Sequence, residues 1–438
     1  MASYTFKSQD DLAAFNLFSE QNGGSVYQTS YWADVKNAWK PSFYMGYDEN
    51  GPVLCALCLE RDVKVGKVWY IPDGFVCDYT NAALISAFAA YLKKEMKKNG
   101  IIAAVLDPLI TEKIDRTPCD TAALDVLLQC GFVQTADKNE YIVQPNVTIE
   151  TSLAGETPDS LLKKCDKGVR HGLKAAADGA LLCETYDHIT IEEHPEKLDE
   201  FFSVMTETSD RVSFIQRDKA YYKNMVTALQ GKAVMDLIYC DNAQRAEQCR
   251  QARETAERCS AALAAEGMSK KEIAALKKEL ETAQNFISRS EKADNELQAL
   301  YGDAVPERIC LGAAITSRFG KTAICLYGGT RNILRNTFRP THFMNWHRLL
   351  VSMENGIENH DMGRITGDPY DENNPLAGLC KYKLSYGGNV KEFVGDLYLI
   401  NDPIRFRLFT QLLPKVKKIK NTVLKKTIKS ATVSNSTK

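Results

Sequence analysis

The chain has 438 residues, 25% of them charged and 44% hydrophobic, and its 55 basic and 56 acidic residues leave a formal net charge of −1. That length provides two or three domains with real cores and excludes a disordered chain, a collagen-like fibre and a disulfide miniprotein. A near-zero charge exerts no global pull on nucleic acid or membrane, so any such attraction must be local.

No apolar run approaches the ~18–20 residues of a membrane span, and Met1 to Asp10 lack the apolar stretch of a secretory signal. A cytoplasmic protein is therefore expected. Its 13 cysteines are scattered and odd in number, which reads as reduced thiols. Cys55 and Cys58 form a lone C-x-x-C inside an apolar strand-like run. With no second pair and no nearby histidine, they read as buried small side chains rather than a zinc or redox centre.

In chain order, residues 11–18 read as an amphipathic helix, followed by an extended Ser25–Thr29 and a second helix from Tyr31. Strands are expected at Phe43–Tyr47, Val53–Leu59 and Lys67–Ile71, then a long helix ending at Asn99-Gly100-Ile101. The same order recurs later. Residues 197–205 and a segment from Tyr221 read as helices, then strands follow at Val234–Tyr239, Ile309–Ile315 and Thr322–Tyr327. A long helix again ends at Asn355-Gly356-Ile357, the glycine serving as a helix stop. Short extended runs then lead to closing strands in each copy. A twofold repeat of helices and strands implies a mixed α/β (α+β) protein with two related domains.

The second copy carries an insertion. The first joins its second and third elements of sheet by a tight turn, Asp48 to Gly51, whereas Asp241 to Val305 fills the same place in the second. The insert contains no proline and is rich in Ala, Glu, Lys, Arg and Gln up to residue 300. Ala246, Cys249, Ala256 and Leu263 mark one helical stripe, and Ile273, Leu276, Leu280, Ile287, Leu297 and Leu300 mark a stronger one. Gly267 can end the first helix, and Ser269 with Glu272 can form a capping box for the second. The expectation is an antiparallel helical hairpin, an arm of roughly 35–40 Å for twenty-five residues at ~1.5 Å each. Its basic and acidic residues nearly balance, so three roles stay open: a grip on an extended partner such as RNA, a dimerisation device, or a spacer.

Motifs for common catalysts are missing. The sequence has no P-loop, no dinucleotide-binding G-x-G-x-x-G, no G-x-S-x-G elbow and no H-E-x-x-H. His342 and His347, five apart, do not share a helix face as ligands. Polar residues do stand beside glycine or aromatic punctuation: Lys36 after Trp32, Asp107 before Pro108, Arg217 before Tyr221, Tyr327 before Gly328-Gly329, and Tyr382-Lys383 before Gly387-Gly388.

Taken together, these pieces resemble the Fem/Mur (FemABX) family of aminoacyltransferases that build peptidoglycan interpeptide bridges. The resemblance is carried by Tyr31-Trp32-Ala33-Asp34-Val35-Lys36, Asp107-Pro108, Lys163-Lys164 with Arg170 and Lys174-Ala175, and Phe214-Ile215-Gln216-Arg217 with Tyr221-Tyr222. It continues in Leu326-Tyr327-Gly328-Gly329, Asp361-Met362-Gly363-Arg364 and Gly378-Leu379 with Tyr382-Lys383 and Tyr386-Gly387-Gly388. Each motif is weak, but their ordered set spans about residues 10–400.

The resemblance implies two tandem GNAT-like (acyl-CoA N-acyltransferase-like) domains with a coiled-coil arm inserted in the second. The expected division is 1–150, then 151–240 with 306–400, the arm at 241–305, and a basic tail at 401–438. It implies transfer of glycine, alanine or serine from aminoacyl-tRNA to the peptide stem of a muramyl-pentapeptide precursor, UDP-linked or lipid II. No metal and no nucleotide cofactor is expected. Lys383, Tyr382 and Asp107 fall at catalytic positions, with Lys383 expected to stabilise the oxyanion or the tRNA 3′ end. Tyr382 stands where phenylalanine is common in the family. Lys36, Arg217, Tyr221 and Tyr327 are implied to bind the acceptor, the two cations through its diphosphate. Lys163, Lys164, Arg170 and Lys174 are implied to meet tRNA. The lysines from Lys415 to Lys429 would touch anionic lipid headgroups at the inner membrane face, touch the tRNA, or stay solvated. The rival readings are a GNAT-like N-acyltransferase with another activated donor, and a non-catalytic scaffold that associates through the hairpin. Oligomeric state is open.

Overall fold

The protein is described by a computed structural model covering residues 3–134, 144–212, 214, 216–265 and 267–411. The chain forms two compact units, one running to Val147 and resuming at Lys391, the other spanning Thr148–Val390.

The sheet of the first unit takes its strands in the order Thr5–Ser8, Lys40–Asp48, Gly51–Val63, Gly66–Ile71, Ile101–Leu106, Leu397–Ile400 and Val133–Gln134. Neighbours are antiparallel except Gly66–Ile71 with Ile101–Leu106, which run parallel. A parallel pair needs a crossover, and the helix Ala82–Asn99 supplies it. Leu84, Ile85, Phe88, Ala89, Leu92 and Met96 repeat at three and four residues and bury one face in a core shared with Leu54, Trp69 and Ile71. Asn81 caps the start by accepting from the Leu84 amide, and Gly100, in the left-handed region at φ 69°, ends the helix.

The second unit repeats this plan. Its strand order is Leu181–Tyr186, Ala233–Asp241, Arg308–Phe319, Thr322–Thr330, Asn359–Ile365 and Val147–Ser152. Thr322–Thr330 and Asn359–Ile365 form the parallel pair, and the helix Pro340–Glu354 makes the crossover. Gly356 at φ 68° again follows the helix. The helices Leu12–Gln21 and Ser30–Val35 precede the first set of strands, and Glu196–Val212 and Lys219–Ala228 stand in the same place in the second. This repeated order is the expected mixed α/β arrangement of two related domains in tandem.

The closing strands differ from expectation. Leu397–Ile400 does not complete the second domain: it lies in the first unit's sheet, paired from Leu397↔Leu106 to Ile400↔Ala103. The reason is burial. Ile101–Leu106 is apolar and buried along its whole length, so an open edge there would leave backbone groups without partners. Leu397, Tyr398 and Leu399 are themselves buried and satisfy it.

The insertion forms the helices Asn242–Leu263 and Lys270–Tyr301. Ser269 and Glu272 make the capping box. The 32-residue second helix is about 48 Å long, longer than the twenty-five residues allowed for. Ala283, Ser290 and Ala293 are buried between the stripes of larger residues, whereas Leu300 is exposed. Small side chains thus carry part of the seam that an apolar count passes over.

Cys55 and Cys58 are both buried on Gly51–Val63, three residues apart. An odd separation on a strand sends them to opposite faces, so they cannot share a metal or a bridge.

Candidate functional site

The two parallel pairs end differently. In the first unit the ladder runs on through Ile71↔Leu106. In the second it stops after Thr322↔Asn359, Ala323↔His360 and Ile324↔Asp361. Beyond that point Thr322–Thr330 bulges: its antiparallel partner passes from Ile315↔Tyr327 to Thr316↔Cys325, which leaves Leu326 extra. Gly363, at φ 90°, turns the other strand, and its Cα comes so near that a side-chain carbon there would lie 3.1 Å from the Cys325 carbonyl oxygen.

Lys383 enters where the ladder ends. It lies on the helix Ala377–Leu384, is 8% exposed, and its Nζ donates to the Gly363 carbonyl at 2.7 Å. Burial holds its pKa below the ordinary lysine value, and the negative charge of Asp361 opposes that shift. Asp361 accepts from Thr148 Oγ1 at 2.5 Å and from the Gly363 amide at 2.7 Å, which fixes the turn carrying the lysine's partner. Cys325 Sγ lies 3.2 Å from His360 Nε2, and His360 Nδ1 lies 2.9 Å from Ser352 Oγ. Burial pushes the Cys325 thiol up and lowers His360 to about 3.

Arg217, Tyr221 and Tyr327 meet in the same unit. The Arg217 guanidinium lies 5.1 Å from the Tyr221 ring centre, and Tyr327 is close enough to feel the charge of Arg217 and the phenol of Tyr221. Burial raises both phenols. The Tyr222 ring meets Tyr327 edge-on at 5.0 Å. Beneath them is Arg348, 4% exposed, which donates to the carbonyls of Tyr327 at 2.5 Å and Ile315 at 3.1 Å. Sequence reading missed it. The available signal was a charged residue four positions after Met344 on the core-facing stripe of a helix. Its task is physical: the bulge strips carbonyls of ladder partners, and a buried guanidinium satisfies them.

Tyr382 turns away from its neighbour. Its hydroxyl donates to the Thr341 carbonyl at 2.8 Å and accepts from Asn345 Nδ2 at 2.8 Å, beside the Tyr386 hydroxyl at 2.9 Å. Successive helix residues point about 100° apart, so Tyr382 fastens the helix to Pro340–Glu354 while Lys383 faces the strands.

Asp107 belongs to the first unit, following Ile101–Leu106. It accepts from Tyr70 Oη at 3.0 Å and from the Asp73 amide at 2.9 Å, holding a turn in which Asp73 has φ 56°. Lys36 is in the first unit as well, its Nζ 4.7 Å from the Trp32 ring centre.

The sequence model described as the FemAB family matches residues 10–414. The chain belongs to the FemAB family. A lipid II:glycine glycyltransferase of Staphylococcus aureus is 26% identical over 414 residues, which cover 92% of this chain and 94% of that protein. The same figures hold for its counterparts in the strains Mu50 and N315. The crystal structure of FemX superposes with a TM-score of 0.74 at 24% identity, covering 93% of this chain and 99% of that one. That likeness shows the fold that this family member shares.

Of the basic residues expected to meet tRNA, Lys163, Lys164 and Lys174 are exposed. Lys164 is ion-paired with Glu156. Arg170 donates to the carbonyls of Leu162 at 3.2 Å and Cys165 at 2.6 Å, so it closes the end of the helix Pro158–Lys164. Lys167, His171 and Lys174 are exposed at i, i+4 and i+7 of the helix Lys167–Asp178, and they form a basic face that this spacing alone predicts. On the arm, Arg250, Arg253 and Arg258 pair with Glu247, Glu254, Glu291 and Glu279. Cys183, Asp236 and His347 also bring ligand-type atoms within 4.8 Å of one another. Asp236 already accepts from Thr185 Oγ1 and faces Arg318, which compensates its charge. The tail from Lys415 to Lys429 lies outside the described residues.

Proposed function

We propose that the chain is a tRNA-dependent aminoacyltransferase that moves glycine, alanine or serine onto the peptide stem of a lipid-linked peptidoglycan precursor. Family membership and the lipid II:glycine glycyltransferase activity named for the Staphylococcus aureus relatives support the reaction class and the acceptor. The observation that carries the reading is Lys383: a buried ammonium anchored at the end of a broken parallel ladder.

The chemistry is attack of an amine on an activated ester. Its barrier lies in positioning, in removing the amine proton and in stabilising the tetrahedral oxyanion. An ammonium has three donors, and the Gly363 carbonyl takes one. In this reading Lys383 directs another toward the oxyanion or the tRNA 3′ end. A donor held in a site of low dielectric does this better than one in water, because nothing must reorganise as charge develops. Arg217 and Lys36 are each proposed as a cation for the acceptor's diphosphate, Tyr221 and Tyr327 as walls for the acceptor. Lys163, Lys164 and Lys174 are proposed as phosphate contacts for the tRNA, joined by Lys167. Asp107 and Tyr382 are proposed to act by position, through the turn and the helix they hold. No metal or nucleotide cofactor enters this scheme.

The test is transfer from labelled glycyl-, alanyl- and seryl-tRNA to lipid II and, separately, to the UDP-linked pentapeptide. RNase-sensitive transfer to lipid II supports the proposal. Transfer from acyl-CoA alone would assign the chain to the wider N-acyltransferases, and absence of turnover from every donor would leave a scaffold.

A further inference from the structure

The polar residues beneath the helix Pro340–Glu354 include a group that the transfer scheme does not use. Leu181–Tyr186 runs antiparallel to Ala233–Asp241, with Cys183 opposite Ile238 and Thr185 opposite Asp236. Side chains alternate between faces along a strand, so Cys183, Thr185, Asp236 and Ile238 project from one face. Ile238 and Cys183 pack there with Met344 and Phe343, so the helix covers this face. His347 follows Phe343 by one turn, and the two rings stack at 6.3 Å and 15°. The stacking restrains the imidazole over the strands.

A thiol, a carboxylate and an imidazole thus meet, their ligand-type atoms all within 4.8 Å of one another. Two strands and a helix supply them, so no local motif announces the set. Asp236 is 2% exposed, Cys183 and His347 are half-buried, and Thr185 is exposed. The group therefore has a buried floor and a way in from solvent. Thr185 Oγ1 donates to Asp236 at 2.7 Å and lies 3.9 Å from Cys183 Sγ. An outer hydrogen bond of this kind orients a ligating carboxylate.

The donor set selects the ion. Magnesium and calcium take oxygen, whereas sulfur and imidazole nitrogen beside one carboxylate suit zinc. Three protein ligands leave a fourth position for water. Bonds of about 2.0–2.3 Å in a tetrahedron put ligand atoms about 3.3–3.8 Å apart, so closing by about 1 Å completes the site. Charge sets the affinity. Burial and the charge of Asp236 push the Cys183 thiol up, while Arg348 opposes them, and Arg318 also faces Asp236. A divalent ion that displaces the thiol proton is neutralised by thiolate and carboxylate. The cluster then loses the single negative charge it presents to the two arginines. Binding should accordingly be on the order of micromolar, weaker than at a four-ligand structural site.

We propose that Cys183, Asp236 and His347 form a zinc-binding site that clips the helix Pro340–Glu354 to the strands Leu181–Tyr186 and Ala233–Asp241. The ion supplies no step of the transfer. It steadies the helix whose next residue, Arg348, holds the carbonyls of Tyr327 and Ile315. The site goes beyond the transferase reading and does not depend on it.

The experiment strips the full chain with a chelator and titrates it with Co²⁺, a spectroscopic stand-in for Zn²⁺. One equivalent should bind and give a thiolate-to-cobalt charge-transfer band with the visible bands of a tetrahedral ion, both abolished by Zn²⁺. Cys183→Ser should remove the charge-transfer band, and His347→Gln should weaken binding at least about tenfold. Zn²⁺ should raise the melting temperature of the wild type and not of either variant. Both substitutions fall on half-buried side chains, so the test does not require replacing the buried Asp236. With 13 cysteines in the chain, Cys325→Ser is the control and should keep the band. Absence of a charge-transfer band, its survival in Cys183→Ser or its loss in Cys325→Ser would overturn the proposal. So would a zinc-induced rise in melting temperature that His347→Gln leaves unchanged.

Discussion

Lys383 donates to the carbonyl of Gly363 at 2.7 Å, at the point where the parallel pairing of Thr322–Thr330 with Asn359–Ile365 has ended. Burying an amine is costly, and Asp361 and this carbonyl offset only part of that cost. Such a residue is a liability to stability and an asset to chemistry. Lys383→Met should therefore keep or raise the melting temperature while lowering transfer from charged tRNA by about 10²–10³-fold. The lowered pKa sets the sign with pH: the unfolded chain binds this proton more tightly, so the penalty is present at neutral pH and fades as pH rises toward the ordinary lysine value. Transfer by Lys383→Met at the wild-type rate would remove the lysine from the mechanism.

Gly363→Ala probes the same geometry through the backbone. Alanine is strained at φ 90°, and its methyl would meet the Cys325 carbonyl oxygen at 3.1 Å. A loss of about 1–2 kcal/mol is expected, with a drop in kcat of tenfold or more as the lysine's partner moves. Thermal unfolding and single-turnover transfer measure the two separately.

His360 is fully buried, and its environment lowers it to about 3. The unfolded imidazole titrates near 6.5, so the unfolded chain takes up a proton as pH falls below that value and the folded chain does not. Stability contributed by neutral His360 is present above pH ~6.5 and lost progressively toward pH 3, about 2 kcal/mol of it by pH 5. His342, also lowered by burial, contributes with the same sign. Urea midpoints at pH 7.5 and 5 should converge in His360→Gln relative to wild type; an unchanged gap would refute the assignment.

Arg217, Tyr221 and Tyr327 form one electrostatically coupled group, with the guanidinium over the Tyr221 ring. If this group holds the acceptor, Arg217→Ala should raise the acceptor KM about tenfold or more and alter kcat little, since uniform binding is what it removes. Tyr327→Phe should give a smaller change in the same direction. A pure kcat effect would place them at the reacting atoms instead.

Arg245 is 4% exposed at the root of the arm and donates to Ser290 Oγ at 2.7 Å and Asp294 at 2.6 Å. Arg245→Ala strands buried polar groups and should cost about 2–4 kcal/mol. Limited proteolysis should then cut within Asn242–Tyr301 first. The arm helices are otherwise laced by exposed pairs such as Arg253–Glu291, whose loss should change little.

Local and periodic features were legible in the residues. The twin Asn-Gly-Ile helix stops, the capping box at Ser269 and the inserted hairpin follow from 3.6-residue spacing and from glycine's freedom at positive φ, which act within a few residues of chain. The ordered motifs likewise carry the resemblance to the FemAB family. What no local pattern carries is the pairing of distant segments. Only the fold decided that Leu397–Ile400 closes the first sheet, because edge satisfaction depends on which strand is left open. Only the fold separated adjacent Tyr382 and Lys383 into a fastening and a poised amine, set Arg348 under a bulge, and spent Arg170 on a helix end. A side chain's type is written in the chain, but its desolvation, its charge neighbours and its hydrogen-bond partners come from elements far apart in sequence, and those set its chemistry.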